Sequence, residues 1–435
     1  MIERILERAK KAADAAEVYY AENETTGVFF EAGKLSRADV KNSVRVILRC
    51  IVDGRIGYAS ATGAENADEL VGNALATAAY GKTAGFELAA GEPCADVKTF
   101  DARVATLPAE TMVETGETAV KRLLETDPTL NITAEVKKTV GHRRIVNSAG
   151  MDRSEEATGY AFVLSFTRAR EGDIFEHWDY DASASLDVDE EGITERLVDV
   201  LCWADRTVPA KTGKTDLIVH FAEVPALLQP LLTGLNGENV ARGSSPLIGK
   251  IGEKTLDERF SVYDDPSIDY ASSTSAFDGE GTARGKLTLV EEGKLRSYLL
   301  DLSSAAELGM EPTGNATRAG SAPAPSPSNV VVPGGDGKTY DELVGETDDG
   351  IIALILTGAR MGNVLGGEIS ASIWTGLKVE NGEVAGRVKN TIFSGNIYEM
   401  LKDRVKAVSS DVRTIDGSYT VPAVIIADQL ITGTE

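Results

Sequence analysis

The sequence predicts an α+β protein of two domains: an amino-terminal unit of helices resting on an antiparallel sheet, and a carboxy-terminal unit that is glycine-rich and dominated by strands. Three observations lead there. The chain has 435 residues, more than one hydrophobic core usually organises, so two cores are expected. Its first half interleaves apolar stripes of helical period with segments that alternate apolar and polar residues, which places helices and sheet in one unit. Its second half breaks into short apolar runs separated by glycine turns, with few helical stripes.

The elements follow in chain order. Ile2, Ile5, Leu6, Ala9, Ala12, Ala13 and Ala16 recur at helical spacing and predict an amphipathic first helix with its charged side turned to water. An extended run over 27–32, a turn at Gly33, and Val44, Val46, Leu48, Cys50 and Val52 before Asp53-Gly54 predict the sheet on which that helix rests. Asn66 followed by Glu69 has the spacing of a capping box, opening a second helix whose stripe is Leu70, Val71, Ala74, Leu75 and Ala78. Met112, Val113, Ala119, Val120, Leu123 and Leu124 define a third helix. Extended segments then run over 132–146, turn at 147–150 and continue through the alternating Tyr160, Phe162, Leu164 and Phe166.

The polar stretch from Arg206 to Thr215, broken by Pro209 and Gly213, marks a domain boundary and gives domains 1–208 and 209–435. Beyond it, strands are expected at 217–220, 286–290, 351–356, 375–379 and 421–426. The proline-bearing run from Ser321 to Ser328 reads as an extended loop outside regular pairing.

A formal charge of -24 at pH 7 repels phosphate backbones and anionic lipid, so neither nucleic acid nor a membrane surface is expected as a partner. No stretch approaches the roughly 18 apolar residues that span a bilayer, and the amino end lacks the apolar core of a signal peptide. Cys50, Cys94 and Cys202 are odd in number and far apart. That argues against a disulfide framework or a thiolate metal site and for a reducing, cytoplasmic setting.

Short patterns that imitate known sites fail on spacing. Gly213-Lys214-Thr215 and Gly337-Lys338-Thr339 end like a phosphate-binding loop, but the earlier glycine that motif requires is Val208 in one and Val332 in the other. Asp187, Asp189 and Glu191 begin like a calcium loop whose twelfth position is Val198, so a helix with an acidic first turn fits better. His142, His177 and His220 form no ligand pair at helical spacing and read as surface or satisfied, partly buried imidazoles. There is no G-x-S-x-G elbow and no cysteine with a histidine partner in sequence.

What remains is a glycine-rich, carboxylate-bearing series in the second half: Phe277-Asp278-Gly279-Glu280-Gly281-Thr282, Glu292-Gly293-Lys294-Leu295, Gly314-Asn315, Ile369-Ser370, Val379-Glu380-Asn381-Gly382-Glu383 and Ser394-Gly395-Asn396. In order and spacing it resembles the carboxy-terminal domain of the TldD/PmbA family, whose older name is modulator of DNA gyrase. Val52-Asp53-Gly54-Arg55-Ile56-Gly57-Tyr58-Ala59 resembles the family's amino-terminal domain, so the likeness runs over nearly the whole chain.

The resemblance implies two paralogous subunit types. The TldD type carries a His-Glu-x-x-x-His helix and a later cysteine that suit a catalytic zinc; the TldE or PmbA type lacks them. Placing Gly234-Leu235-Asn236-Gly237-Glu238 against the segment after that helix puts Leu228, Gln229 and Thr233 at the His, Glu and His positions, and residues 416–420 contain no cysteine. The resemblance therefore implies a TldE-type subunit with no catalytic residues and no metal of its own. It would pair with a TldD-like paralogue that carries zinc, form a homodimer when alone, and act within the complex on peptides or partly unfolded small proteins.

Asp278, Glu280, Asn315 and Arg318 sit in glycine-rich loops that a peptide backbone can approach closely, and are expected to line an inherited groove. An equal alternative is that Asp278 and Glu280 satisfy turn amides. Two other functions stay open: an independent hydrolase using Asp278 and Glu280 as acid and base, and a peptide- or protein-binding modulator without proteolysis.

Overall fold

The computed structural model describes residues 1–63, 67–359 and 361–433. Six strands build the first sheet: β1 (Ala15–Glu31), β2 (Lys34–Val52), β3 (Arg55–Ala61), β4 (Asn131–Asn147), β5 (Asp152–Arg170) and β6 (Asp173–Ser183). Their order is β3-β2-β1-β4-β5-β6, with every pairing antiparallel. The β2–β3 hairpin turns through Asp53 (φ 48) and Gly54 (φ 71); two residues at positive φ give a turn whose twist matches the strands it joins.

Strand alternation sorts this sheet into two faces. Val18, Val28, Phe30, Val46, Leu48 and Cys50 share one face and are buried under the helices Ile2–Ala9, Ala67–Ala78, Ala109–Thr126 and Glu190–Trp203. Each large apolar side chain removed from water there contributes about 1.5–3 kcal/mol. Glu17 and Arg49, at the intervening positions, point to the opposite face. The Ala67–Ala78 helix lies so close to β3 that a side chain on Gly57 would strike the Ala74 carbonyl.

The first helix stops at Ala9, short of the predicted stripe: Ala12 and Ala13 lie outside it, and Ala16 belongs to β1, opposite Cys50. Residues 16 and 18 satisfy a period of two as well as a helical one, and pairing with β2 decides for the strand. The expected capping residue Asn66 lies outside the described residues; the helix it would open is described from Ala67. The acidic turn at 187–191 is a helix start, as its spacing suggests: Asp189 accepts the Gly192 N–H at 2.9 Å.

The second sheet has eleven strands. Nine of them are β7 (Gly213–Val219), β8 (Val262–Asp264), β9 (Leu287–Glu291), β10 (Lys294–Leu295), then, after the two-stranded ladder of β11 (Ala316–Thr317) and β12 (Ala324–Pro325), β13 (Val330–Val331), β14 (Asp349–Thr357), β15 (Glu368–Glu380), β16 (Glu383–Val388) and β17 (Thr391–Asn396). β18 (Val405–Ile415) and β19 (Tyr419–Thr432) complete it. Because β19 pairs with both β17 and β7, the strands β7, β14, β15, β17 and β19 form a closed ring. Pro325 takes part in the small ladder, contrary to the loop expectation for 321–328. The missing N–H costs nothing there, since the neighbouring Ser326 N–H supplies the bond to the Asn315 carbonyl at 2.8 Å.

Both faces of the ring are covered, which accounts for its unbroken apolar runs. Leu217, Val219, Ile351, Ala353, Val424 and Ile426 pack with the helix Val224–Leu235. Ile218, Ile352, Leu354, Leu377, Val379 and Ile425 join the core beneath the Glu190–Trp203 helix. The two sheets thus share one hydrophobic core. Among the described residues no helix is long and apolar enough to cross a membrane.

Gly57→Ala is expected to lower stability by about 1–3 kcal/mol, the usual cost of overpacking, because the new methyl meets backbone that cannot rotate away. The midpoint of a urea titration checks it.

Candidate functional site

Glu17 and Arg49, turned away from the helices, are covered by loops of the second sheet's domain, and the covering groups are the residues singled out in the sequence. Arg318 Nη2 donates to Glu17 Oε1, while Glu17 Oε2 accepts from Arg49 Nη2 at 2.8 Å. Arg49 Nη1 donates to Glu280 Oε1, and Glu280 Oε2 accepts the Leu302 N–H at 2.8 Å. Glu17, Arg49, Glu280 and Arg318 are 0, 1, 1 and 7% exposed. Two carboxylates and two guanidiniums therefore sit in a dry interface with zero net charge. Burial opposes the Arg49 charge, but the carboxylates of Glu17 and Glu280 outweigh it and hold that pKa above its ordinary value.

The loop geometry makes this possible. Asp278 Oδ1 accepts the Glu280 and Thr282 N–H groups at 2.8 and 2.9 Å, and its Oδ2 accepts the Ala316 N–H at 3.0 Å. Gly281 closes the turn at φ 79, against Met151, where a side chain would collide. Burial and then the Glu280 charge raise the Asp278 pKa. Arg318 Nε donates to the Gly279 carbonyl at 2.8 Å. Asn315 accepts from Thr313 Oγ1 at 2.7 Å and donates to Asp264 Oδ2 at 2.6 Å.

Asp278, Glu280, Asn315 and Arg318 are thus brought together, but not as a groove. Asp278, Glu280 and Asn315 are each 1% exposed and their polar atoms are engaged within the chain, so in this structure they offer no surface to a peptide. Asp278 holds turn amides, the alternative weighed above, and Glu280 joins two domains. At 1% exposure neither carboxylate can be reached by a substrate for acid or base chemistry. Sequence reasoning missed their partners Glu17 and Arg49. The available signal was one charged residue in each strand set between apolar neighbours, Glu17 between Ala16 and Val18 and Arg49 between Leu48 and Cys50.

The positions aligned with a zinc helix lie on Val224–Leu235. Leu228 is fully buried in the core of the second sheet. Gln229 Nε2 donates to Thr233 Oγ1 at 3.3 Å, and Thr233 Oγ1 donates to the Gln229 carbonyl at 2.8 Å. An aliphatic carbon, an amide and a hydroxyl bonded to its own helix are not a donor set for zinc. Among the described residues no three His, Cys, Asp or Glu side chains are grouped to hold a metal ion.

The histidines divide. His142 lies on the sheet near Glu22, 3.7 Å from Nδ1 to Oε1. His177 and His220, unrelated in sequence, line one cavity. The strand alternation His177, Asp179, Asp181 on β6 carried that signal unread.

The chain belongs to the PmbA/TldA metallopeptidase family: the PmbA/TldA metallopeptidase C-terminal domain matches residues 212–433, and PmbA/TldA metallopeptidase domain 1 matches residues 16–78. An uncharacterized protein of Methanocaldococcus jannaschii is 27% identical over 440 residues, covering 99% of each chain. Metalloprotease PmbA of Escherichia coli O157:H7 is 25% identical over 98% of this chain and 94% of its own length. The crystal structure of TldE from Thermococcus kodakarensis has the same fold, with a TM-score of 0.91 at 24% identity over 99% of this chain and 100% of that one.

Glu280→Gln is expected to destabilise the protein by about 3–5 kcal/mol, because it leaves a buried guanidinium short of charge; equilibrium denaturation measures this. A second expectation concerns Asp301, which caps the helix Leu302–Leu308 beside Glu280. Burial, then the Glu280 charge, push its carboxyl from 3.8 up to about 6. The folded state therefore holds a proton that the unfolded state releases, so this group's contribution is intact below about pH 4 and is lost as pH rises through 6. Asp301→Asn keeps the acceptor for the Ser304 N–H and removes the charge. It should flatten that limb of the stability–pH curve and raise stability at pH 7 by on the order of 2 kcal/mol.

Proposed function

We propose that this chain is a non-catalytic, TldE/PmbA-type subunit of a zinc metallopeptidase, completed by a TldD-like paralogue that supplies the metal, and that the complex acts on peptides or partly unfolded small proteins. One observation carries the reading: on the helix Val224–Leu235 the positions aligned with the metal ligands and base are Leu228, Gln229 and Thr233, and Leu228 is sealed in the core with 0% exposure. A leucine there cannot ligate, and an amide in place of a carboxylate cannot take a proton from water.

The chain's part is then to present a fixed surface to the partner. At the first of the aligned positions the Leu228 side chain is packed into the core of the second sheet, which leaves no room for a ligand there. The same helix contains Pro230, whose carbonyl accepts from Tyr398 Oη at 2.9 Å, which ties the helix to the one that starts at Ile397. The chain alone is expected to be dimeric and free of zinc, and to be cytoplasmic.

The test is direct. The purified chain should contain well under one zinc per molecule by elemental analysis and show no chelator-sensitive peptidase activity. Mixed with a paralogue bearing His-Glu-x-x-x-His and cysteine, it should co-elute and raise peptide cleavage at least tenfold. Gln229→Ala should leave cleavage by the complex within about twofold, since an amide that holds no metal and moves no proton contributes little to the transition state. Stoichiometric zinc in the chain alone, or a tenfold loss on Gln229→Ala, would overturn the proposal.

A further inference from the structure

A cavity of about 620 Å³ lies between β6 and the Glu190–Trp203 helix on one side and β14, β18 and the 3-10 turn Phe221–Glu223 on the other. That volume falls in the range of small-molecule sites. It involves neither the buried ionic cluster nor the helix positions 228, 229 and 233.

Strand alternation turns His177, Asp179 and Asp181 of β6 toward it. Asp179 Oδ2 accepts from Arg196 Nε at 2.6 Å, and Asp181 Oδ1 accepts the N–H groups of Ala182 and Gly417 at 2.8 and 3.1 Å. Both inner carboxylates thus have partners. Arg413 does not: its guanidinium stacks on the Phe221 ring at 4.6 Å and makes no ion pair or hydrogen bond among the described residues. Tyr340 Oη beside it is likewise without a hydrogen-bond partner among the described residues.

The histidines supply neutral polar ends. Thr375 Oγ1 donates to the Glu176 carbonyl at 3.3 Å, so the 3.3 Å contact between that hydroxyl and His177 Nδ1 is made by an Nδ1–H, leaving Nε2 an acceptor. His220 Nδ1 accepts the Ala222 N–H at 3.4 Å, which places its proton on Nε2. Burial brings both imidazoles down to about 3, so they are uncharged at neutral pH.

Charge is therefore arranged by depth. Arg413 is an inner cation within the field of Asp179 and Asp411 but without a counter-ion in contact among the described residues. Asp199 and Asp341 are exposed carboxylates with no side-chain partner among the described residues. Trp178, Val200 and Leu354 give apolar wall between the two levels. A simple anion would meet the outer carboxylates, and a metal ion would meet two guanidiniums. A molecule with a carboxylate at one end and an ammonium at the other satisfies both levels.

We propose that this cavity binds a small zwitterion of the amino-acid class, a free amino acid or short peptide, with its carboxylate on Arg413 and Tyr340 Oη and its ammonium toward Asp199 and Asp341. A guanidinium held in a partly dry site gains most from a carboxylate, which it can engage through two parallel hydrogen bonds. The site is complete within this chain and needs neither zinc nor a partner, so its fate is separable from that of the proposed subunit role.

Isothermal titration of the full chain with leucine, phenylalanine and a glycyl-phenylalanine dipeptide tests it, with N-acetyl-leucine and leucinamide as probes lacking one charge. Saturable binding is expected for the zwitterions, at least tenfold weaker for both blocked forms and at least tenfold weaker in Arg413→Gln. Should Arg413→Gln fold poorly, the exposed pair Asp199→Asn with Asp341→Asn decides: it should weaken leucine while leaving N-acetyl-leucine unchanged. No saturable binding of any zwitterion at millimolar concentration, equal binding of the blocked forms, or an unchanged affinity in folded Arg413→Gln would overturn the proposal.

Discussion

Four alternating charges, Glu17, Arg49, Glu280 and Arg318, closed off from water where two domains meet, set the terms for the rest of this structure. Taking each ion out of water costs several kcal/mol, and only hydrogen bonds of good geometry to opposite charges offset it. The requirement is directional, unlike the apolar cohesion of the helix-covered face, which tolerates sliding. The glycine turn at 278–282, the Asp278 carboxylate gathering three backbone amides and the helix start at Leu302 all serve to place one carboxylate, Glu280, within reach of Arg49. Cohesion and orientation thus come from different faces of one sheet.

Much of the fold was legible because it depends on period. Tyr160, Phe162, Leu164 and Phe166 alternate and are buried together, and the stripe from Met112 to Leu123 is the buried side of a helix. Where two periods fit the same alanines, at 12–16, local pattern was ambiguous and strand pairing settled it. The candidate site was legible only as composition. Loops rich in glycine and carboxylate do mark a close backbone approach, but what approaches is the protein's own sheet. The residues that receive it lie 231 and 301 positions away in sequence, and no local rule connects them.

The helix Val224–Leu235 and the cavity at Arg413 show opposite outcomes of the same chemistry. Along the helix, Leu228 is packed in the core and the Thr233 hydroxyl is bonded to its own backbone. At the cavity, the Arg413 guanidinium stacks on Phe221 and has no hydrogen bond among the described residues. Function is more readily sought where satisfaction is incomplete than where charged letters cluster, since buried charges in a stable protein are mostly spoken for.

The long reach from β1 to Arg318 also bears on how the chain comes into being. Glu17 and Arg49 both belong to the first sheet and lie 2.8 Å apart, whereas Glu280 and Arg318 stand 231 and 301 positions from their partners along the chain. The cluster cannot close until those later loops are present, so the final locking of the molecule waits on its carboxy-terminal half.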